Sequence, residues 1–306
     1  MQELRGKIIA DQIKGECLDF VGQYNGILPA LAILRVGHKE ADLSYERSIK
    51  KRFMDFGLEA KDYELPENVS NEEFQQVFDF INQDPEIHGI LVMRPLPKQI
   101  DEAAMLRKMN PLKDLDGITD ANVAGVMRGD ADAFAPCTAQ AVVEILKGHQ
   151  IEIAGKEVCI IGRSMVVGKP LSMLLLKENA TVTVCHSKTE DLKAVASRAD
   201  ILVAAIGKAK FISSGYVKED ATVIDVGINV DEAGNLCGDC DWDQIILKAG
   251  AATPVPGGVG TVTTAVLAKH LVQAAKLQMK LAPIDDSADE YLACFHIAGT
   301  VSASKR

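Results

Sequence analysis

Along most of this chain, short apolar runs rich in β-branched residues alternate with longer stretches of helical, amphipathic periodicity. That alternation constrains the fold more than any other feature. A strand buried on both faces reads as an unbroken apolar run, and a helix must cross back before the next parallel strand can pair. Ile27 to Val36 reads as such a strand, followed by charged amphipathic helices over Ser44–Phe56 and Asn71–Asn82 and a strand over Ile87–Met93. A second series starts near Lys156: strands at Val158–Ile161, Thr181–Cys185, Ile201–Ile206 and Thr222–Val226, with helices at Pro170–Lys177 and Asp191–Ser197. The expectation is an α/β protein of two domains, an N-terminal substrate domain and a Rossmann-like parallel-sheet nucleotide domain, with a cleft between them. At 306 residues the chain has room for both. Their boundary falls between Ala135 and Gly155, through a helix at Ala139–Lys147. The expected division is 1–140 for the first domain and 141–261 for the second. Gly257–Thr261 opens a last helix, Val262–Gln278, which packs back on the first domain over about 262–280. The tail, 283–306, has no clear periodicity and no assigned role.

Charge narrows the partners. Lys plus Arg number 33 against 43 for Asp plus Glu, a net charge of −10. An acidic surface disfavours non-specific binding to nucleic acid, although single basic pockets for phosphate remain open to it. The N-terminus carries charges throughout, and the longest apolar runs are far too short to cross a bilayer, so a cytoplasmic protein with no membrane partner is expected. Cys237 and Cys240 form a CxxC without a second pair or a histidine at metal spacing. They read as small buried hydrophobes, with zinc or redox chemistry as the alternative, and no metal is expected.

Strand Val158–Ile161 runs directly into Gly162-Arg163-Ser164-Met165-Val166-Val167-Gly168-Lys169-Pro170. Glycines at such a turn let the backbone approach a pyrophosphate, and the helix that follows turns N–H donors toward it. Ser164 stands where GxGxxG has its second glycine. The next strand ends in Cys185-His186-Ser187-Lys188-Thr189, without the acidic residue that holds the ribose in NAD sites. Arg163, Ser187 and Lys188 read as surroundings for a 2′-phosphate; the alternative is that Arg163 and Lys188 are solvated loop charges.

With these turns in view, the chain resembles a known family. GRSMVVGKP, CHSKT, Gly227-Ile228-Asn229, Gly238-Asp239, Pro136-Cys137-Thr138, Lys113-Asp114-Leu115-Asp116-Gly117, Pro95-Leu96-Pro97 and Thr253-Pro254-Val255-Pro256-Gly257-Gly258-Val259-Gly260 resemble the methylenetetrahydrofolate dehydrogenase/cyclohydrolase family of the FolD type, in its order and spacing from about residue 3 to 280. The resemblance implies two α/β domains, a homodimer, NADP as cofactor and tetrahydrofolate derivatives as substrates. It implies oxidation of 5,10-methylene-tetrahydrofolate to the methenyl form, followed in many members by hydrolysis to 10-formyl-tetrahydrofolate. For the folate it implies Tyr45, Val92, Met93, Arg94, Asp116, Pro256, Gly257, Gly258 and Val259, with Tyr45 and Asp116 at the chemistry. For NADP it implies Thr138, Gly162, Arg163, Ser164, Val167, Gly168, His186, Ser187, Ala205, Gly207 and Ile228.

The chain departs from the family where hydrolysis is expected to need it. The family's Tyr-x-x-x-Lys pair has its tyrosine at Tyr45, but Ile49 stands at the lysine position. Lys50 lies about 100° further round the helix and cannot substitute without a shift. The glutamine that would hydrogen-bond that lysine is Met93. Hydride loss needs chiefly the alignment of two bound rings, whereas hydrolysis needs an activated water and a group that moves protons. Arg94, always protonated, is a poor base and reads as solvent-facing. Thr261-Val262 in place of Pro-Met, and Ala139 in place of proline, touch no group the chemistry requires. The main expectation is a dehydrogenase with weak or absent cyclohydrolase activity. The alternatives are the ordinary bifunctional enzyme, with Lys50, Arg94 or a water substituting, and a non-catalytic folate or nucleotide sensor.

Overall fold

The apolar runs become the buried strands of two parallel sheets. The computed structural model describes residues 1–23 and 28–281. In chain order the elements are β1 (Gln2–Glu3), α1 (Gly6–Gln23), β2 (Ala30–Val36), α2 (Glu40–Asp55), β3 (Glu59–Leu65), α3 (Asn71–Gln83), β4 (Gly89–Val92), α4 (Glu102–Lys108), α5 (Asp120–Arg128), α6 (Cys137–Gly148), β5 (Glu157–Ile161), α7 (Gly168–Lys177), β6 (Thr181–Cys185), α8 (Leu192–Ala196), β7 (Ile201–Ala204), β8 (Thr222–Asp225), β9 (Asn229–Val230), β10 (Leu236–Cys237), α9 (Trp242–Ile245), β11 (Ala251–Ala252) and α10 (Val259–Leu281). Ile27 and the tail 283–306, including the apolar stretch Tyr291 to His296, lie outside the described residues.

The first sheet has the order β3-β2-β4, all parallel. β2 is its central strand and every residue of it is buried. β3 is an edge strand of sequence EAKDYEL with an exposed or partly exposed face. Its charges hide it from a reading based on apolar runs, because an edge strand needs only half its surface covered. The helix between β3 and β4 begins at a capping box: Ser70 Oγ accepts from Glu73 N at 3.2 Å, and Glu73 Oε2 accepts from Ser70 N at 3.2 Å.

The second sheet runs β1-β11-β8-β7-β5-β6, again parallel. Residues 2–3 join its β11 edge, so the chain starts in the second sheet before building the first. α10 packs against α1 and α6 and reaches β4, where Gln278 Nε2 donates to His88 O at 2.8 Å. It therefore ties the two sheets together. No described helix is long and apolar enough to cross a membrane.

Candidate active site

One wall of the cleft is α2, and a buried arginine sets which face that helix presents. Arg35 interrupts the apolar run of β2 and is only 3% exposed. A buried guanidinium is tolerated only when its donors are paired. Arg35 Nε meets Glu46 of α2 at 2.8 Å, and its second terminal nitrogen meets Glu64 of β3 at 2.8 Å. Fixing Glu46 places Tyr45 at the cleft and Ile49 beneath it. Burial first, then the nearby Cys137 and Asp116, push the Tyr45 phenol above its ordinary value.

The loop Lys113 to Gly117 carries two aspartates with opposite fates. Asp114 is buried, and its carboxylate accepts from Ile118 N (3.0 Å), Thr119 N (2.8 Å), Thr119 Oγ1 (2.7 Å) and Asn122 Nδ2 (2.9 Å). Its acceptor capacity is spent on the loop itself. Asp116 accepts from Cys137 N at 3.1 Å, which leaves most of its lone pairs for a ligand. Gly117 allows the reversal between them: its φ is +61°, and a Cβ there would lie 2.3 Å from Phe134 O. Burial raises the pKa of Asp116, while the donated bonds from Cys137 oppose that. The Cys137 thiol is pushed up too, by burial and then by Asp116.

Ile49 is fully buried and shares a core cluster with Phe53, Leu91, Met93 and Leu115. Lys50 turns to the outer side, where its ammonium pairs with Asp62 of β3. Arg94 is exposed, as expected from sequence, and pairs with Glu102 at 2.5 Å, at the start of α4. Lys50 is thus engaged away from the Tyr45–Asp116 cluster, whereas Arg94, paired with Glu102, still acts on the Asp116 carboxylate and opposes its rise in pKa. Strand alternation separates two residues the resemblance groups together. Met93 belongs to the Ile49 cluster, whereas the Val92 side chain joins Leu34, Phe74 and Phe78 on the other face of the sheet.

The opposite wall is the loop before α10. Pro254 to Thr261, Val226 to Ile228 and Leu236 line a cavity of about 300 Å³ with Ser48 and Arg52 of α2. Pro256, Gly257, Gly258 and Val259, expected at the folate, and Ile228, expected at the cofactor, all line it. Ser48, Arg52 and Leu236 were not singled out from the sequence. Ser48 and Arg52 are one helical turn apart, which places them on one face once the helix is oriented.

The nucleotide turn is built for close approach. Gly162 has φ +136°, and a Cβ there would lie 2.2 Å from Ala205 O; one on Gly168 would lie 2.0 Å from Gly162 O. Ser164, in place of the middle glycine, accepts from Val167 N at 3.1 Å and so caps the turn. Arg163 is exposed and has no ion pair among the described residues. His186 and Ser187 follow β6 directly; His186 N donates to Thr189 Oγ1 at 2.9 Å, and Lys188 N to His186 Nδ1 at 3.1 Å. Thr138 stands in the first turn of α6, beside Cys137.

Two buried carboxylates that the sequence did not flag as site residues hold the remaining loops. Asp239 Oδ2 accepts from Ile206 N at 2.7 Å and Gly207 N at 3.1 Å, and Oδ1 from Lys208 N at 2.8 Å and Asn229 Nδ2 at 2.9 Å. Asp225 accepts from Gly227 N at 2.9 Å, Asp239 N at 2.9 Å and Cys240 N at 2.8 Å. Ala205, Gly207 and Ile228 take their places from these bonds. The available signal was the pairing of Gly238-Asp239 with Gly227-Ile228-Asn229; the bonds from Ile206, Gly207 and Lys208 to Asp239 span 33, 32 and 31 residues. Cys237 and Cys240 are buried free thiols. A separate cavity of about 290 Å³ behind α6 and α10, with Glu144, Lys269 and His270 in its lining, contains none of the expected site residues.

Comparison with known proteins agrees with this arrangement. A family model described as tetrahydrofolate dehydrogenase/cyclohydrolase, catalytic domain, matches residues 4–116. The corresponding NAD(P)-binding domain matches residues 136–279. A Clostridioides difficile (strain 630) protein named bifunctional protein FolD is 50% identical over 279 residues, covering 90% of this chain and 97% of the relative. The bifunctional FolD methylenetetrahydrofolate dehydrogenase/cyclohydrolase of Campylobacter jejuni shares the fold with a TM-score of 0.88 at 38% identity, covering 91% of this chain and 99% of that one. A Trypanosoma brucei N5,N10-methylenetetrahydrofolate dehydrogenase-cyclohydrolase, solved with NADP and an inhibitor, gives 0.84 at 35% identity, covering 90% and 97%. Fold, cleft and sequence together make this chain a member of the tetrahydrofolate dehydrogenase/cyclohydrolase family.

Proposed function

We propose that the protein oxidises 5,10-methylene-tetrahydrofolate to the methenyl form with NADP, in the cleft between α2, the Leu115–Gly117 loop and the loop 254–258. The observation that carries this reading is the contrast between Asp114, saturated by its own loop, and Asp116, left with acceptor capacity beside Tyr45. A carboxylate so placed can accept from the amino and ring N–H groups of a pterin. NADP, when bound, takes the hydride. The other demands fall on the chain: to hold the pterin, to hold the dinucleotide and to keep water out. Gly162 and Gly168 leave no room for a Cβ, as a backbone cradle for a pyrophosphate requires. Exposed Arg163, with Ser187 and without an acid after β6, suits a 2′-phosphate. In this reading residues 1–140 with α10 handle the folate, 141–261 handle NADP, and the protein is cytoplasmic, on the strength of its charged N-terminus and short apolar runs, and a homodimer, on the strength of the resemblance.

The relatives are named bifunctional, which supports hydrolysis of the methenyl product as a second activity. One observation favours a second reading in which that activity is weak or absent. Ile49 and Met93 are buried and apolar, Lys50 is held by Asp62 and Arg94 by Glu102. Near the cleft, burial raises the pKa values of the Tyr45 phenol and the Cys137 thiol, which keeps both protonated and unsuited to taking a proton from water at neutral pH. On this second reading, purified protein given methylene-tetrahydrofolate and NADP accumulates the methenyl product, read by its absorbance, with decay close to the buffer rate. General acid–base help is worth roughly 10² to 10⁴ in rate, so its presence would be plain. Rapid clearance would establish the ordinary bifunctional enzyme and direct attention to Lys50 and Arg94. Ile49→Lys with Met93→Gln is expected to raise hydrolysis where either change alone does not.

A further inference from the structure

The loop that presents Asp116 is held from behind by a residue with no part in the site described so far. His270 lies in the middle of α10 and is 5% exposed. Its Nδ1 is 2.8 Å from Leu115 O, and its ring packs tilted on Phe134, with centroids 5.3 Å apart and planes at 57°. A carbonyl oxygen can only accept, so Nδ1 carries the hydrogen. Burial, the largest influence, lowers the imidazole's pKa and so disfavours the charged ring. The Cys137 thiol also points at Leu115 O, at 3.4 Å, but a thiol is a weak donor.

We infer that His270 is a positioning residue for the folate reaction: it fixes the Leu115 carbonyl, and with it the direction in which Asp116 presents its carboxylate. The Leu115 C=O and the Asp116 N–H belong to one rigid peptide plane, so a bond that fixes the carbonyl fixes the plane from which the Asp116 side chain departs. The far side of that carboxylate is set by Cys137 N at 3.1 Å, and Cys137 Sγ lies 3.7 Å from the same imidazole. The helix that carries His270 also begins at Val259, in the opposite wall of the cleft. At about 1.5 Å per residue the two points are roughly 16 Å apart along one helix. The Asp116 loop and the wall at Val259 are therefore referred to a single element.

This inference rests on Asp116 being the folate carboxylate, and the test separates the two. His270→Leu removes the donor and keeps most of the volume; His270→Asn returns an amide N–H close to the place of Nδ1. Loss of one bond to a buried acceptor corresponds to about a tenfold effect. KM for methylene-tetrahydrofolate is expected to rise about tenfold in His270→Leu, with kcat and KM for NADP within about twofold. His270→Asn is expected to recover folate KM to within about threefold, although its smaller side chain lowers Tm. Equal damage in both variants, a joint rise of both KM values, or no change in either overturns the positioning role. Should His270→Leu fail to fold, the ¹⁵N signals of His270 in the unmodified protein decide. A neutral ring protonated at Nδ1 that responds to folate supports the role; the other tautomer, or no response, overturns it. Asp116→Asn is the control: normal folate kinetics there would sink the site assignment itself, whereas a defect there with normal kinetics in both His270 variants would sink the positioning role alone.

Discussion

Asp239 and Asp116 are both carboxylates at the ends of loops facing the cleft region, and the structure uses them in opposite ways. Asp239 is fully buried and accepts four N–H bonds from Ile206, Gly207, Lys208 and Asn229. Asp116 is half-buried and receives a backbone bond from Cys137 N. A saturated carboxylate has nothing left to offer a ligand, and its loss leaves several donors stranded. An unsaturated one is a cost to the empty protein that a ligand can relieve. In the proposed reading the nucleotide side is thus pinned in advance, and the folate side keeps its acceptor free.

The strongest way to break this comparison is Asp239→Ala. It strands three backbone N–H groups and an amide, and a loss of about 3 kcal/mol or more is expected. Thermal unfolding should show a Tm lower by roughly 6–12 °C, taking 2–4 °C per kcal/mol for a chain of this size. An unchanged Tm would mean that those bonds do not hold the loop.

Arg163→Ala sharpens the cofactor side. Bonds to a charged group are worth about 1.5–3 kcal/mol, so KM for NADP should rise about ten- to a hundredfold, with KM for NAD little changed. Tm should stay put, because the side chain is exposed. Equal loss with both cofactors would reassign Arg163 to the pyrophosphate or to the fold.

Asp116→Asn should do the reverse of Asp239→Ala. Folate kcat/KM should fall about tenfold or more, at 1.4 kcal/mol per decade, with Tm unchanged or raised. The pH dependence carries the same sign. The folded carboxyl has a raised pKa, so between its unfolded value, about 3.9, and the folded value the native state binds more protons. Stability from this group is therefore lost as pH rises through that window and is level above it. Scans of Tm against pH should show this decline in the unmodified protein and a smaller one in Asp116→Asn. The acid limb of folate kcat/KM, where the carboxyl protonates, should lie above the ordinary aspartate range and disappear in the variant.

Much of this was legible in the linear chain. β6 falls at Thr181–Cys185 as read, and β2, β4, β5, β7, β8, α3 and α7 fall within a few residues of expectation, because buried parallel strands must be apolar and their helices amphipathic. α1 was missed because its apolar stripe is sparse, with Ile9, Ile13 and Cys17 among many charges, and β3 because an edge strand tolerates charge. The Gly162–Gly168 turn could be named from its spacing, and Asp116 and the substitutions at Ile49 and Met93 from the family resemblance. Spacing says which residue types stand near one another along the chain, and it suffices where a backbone turn or a helical face does the work. It could not say that Asp114 would be consumed by its own loop while Asp116 stayed open, or that Lys50 would turn to Asp62. Nor could it give His270 any task, since the carbonyl it meets is 155 residues away. Such assignments depend on which groups packing brings within hydrogen-bond reach, and only the folded arrangement of β2, the Asp116 loop and α10 decides that.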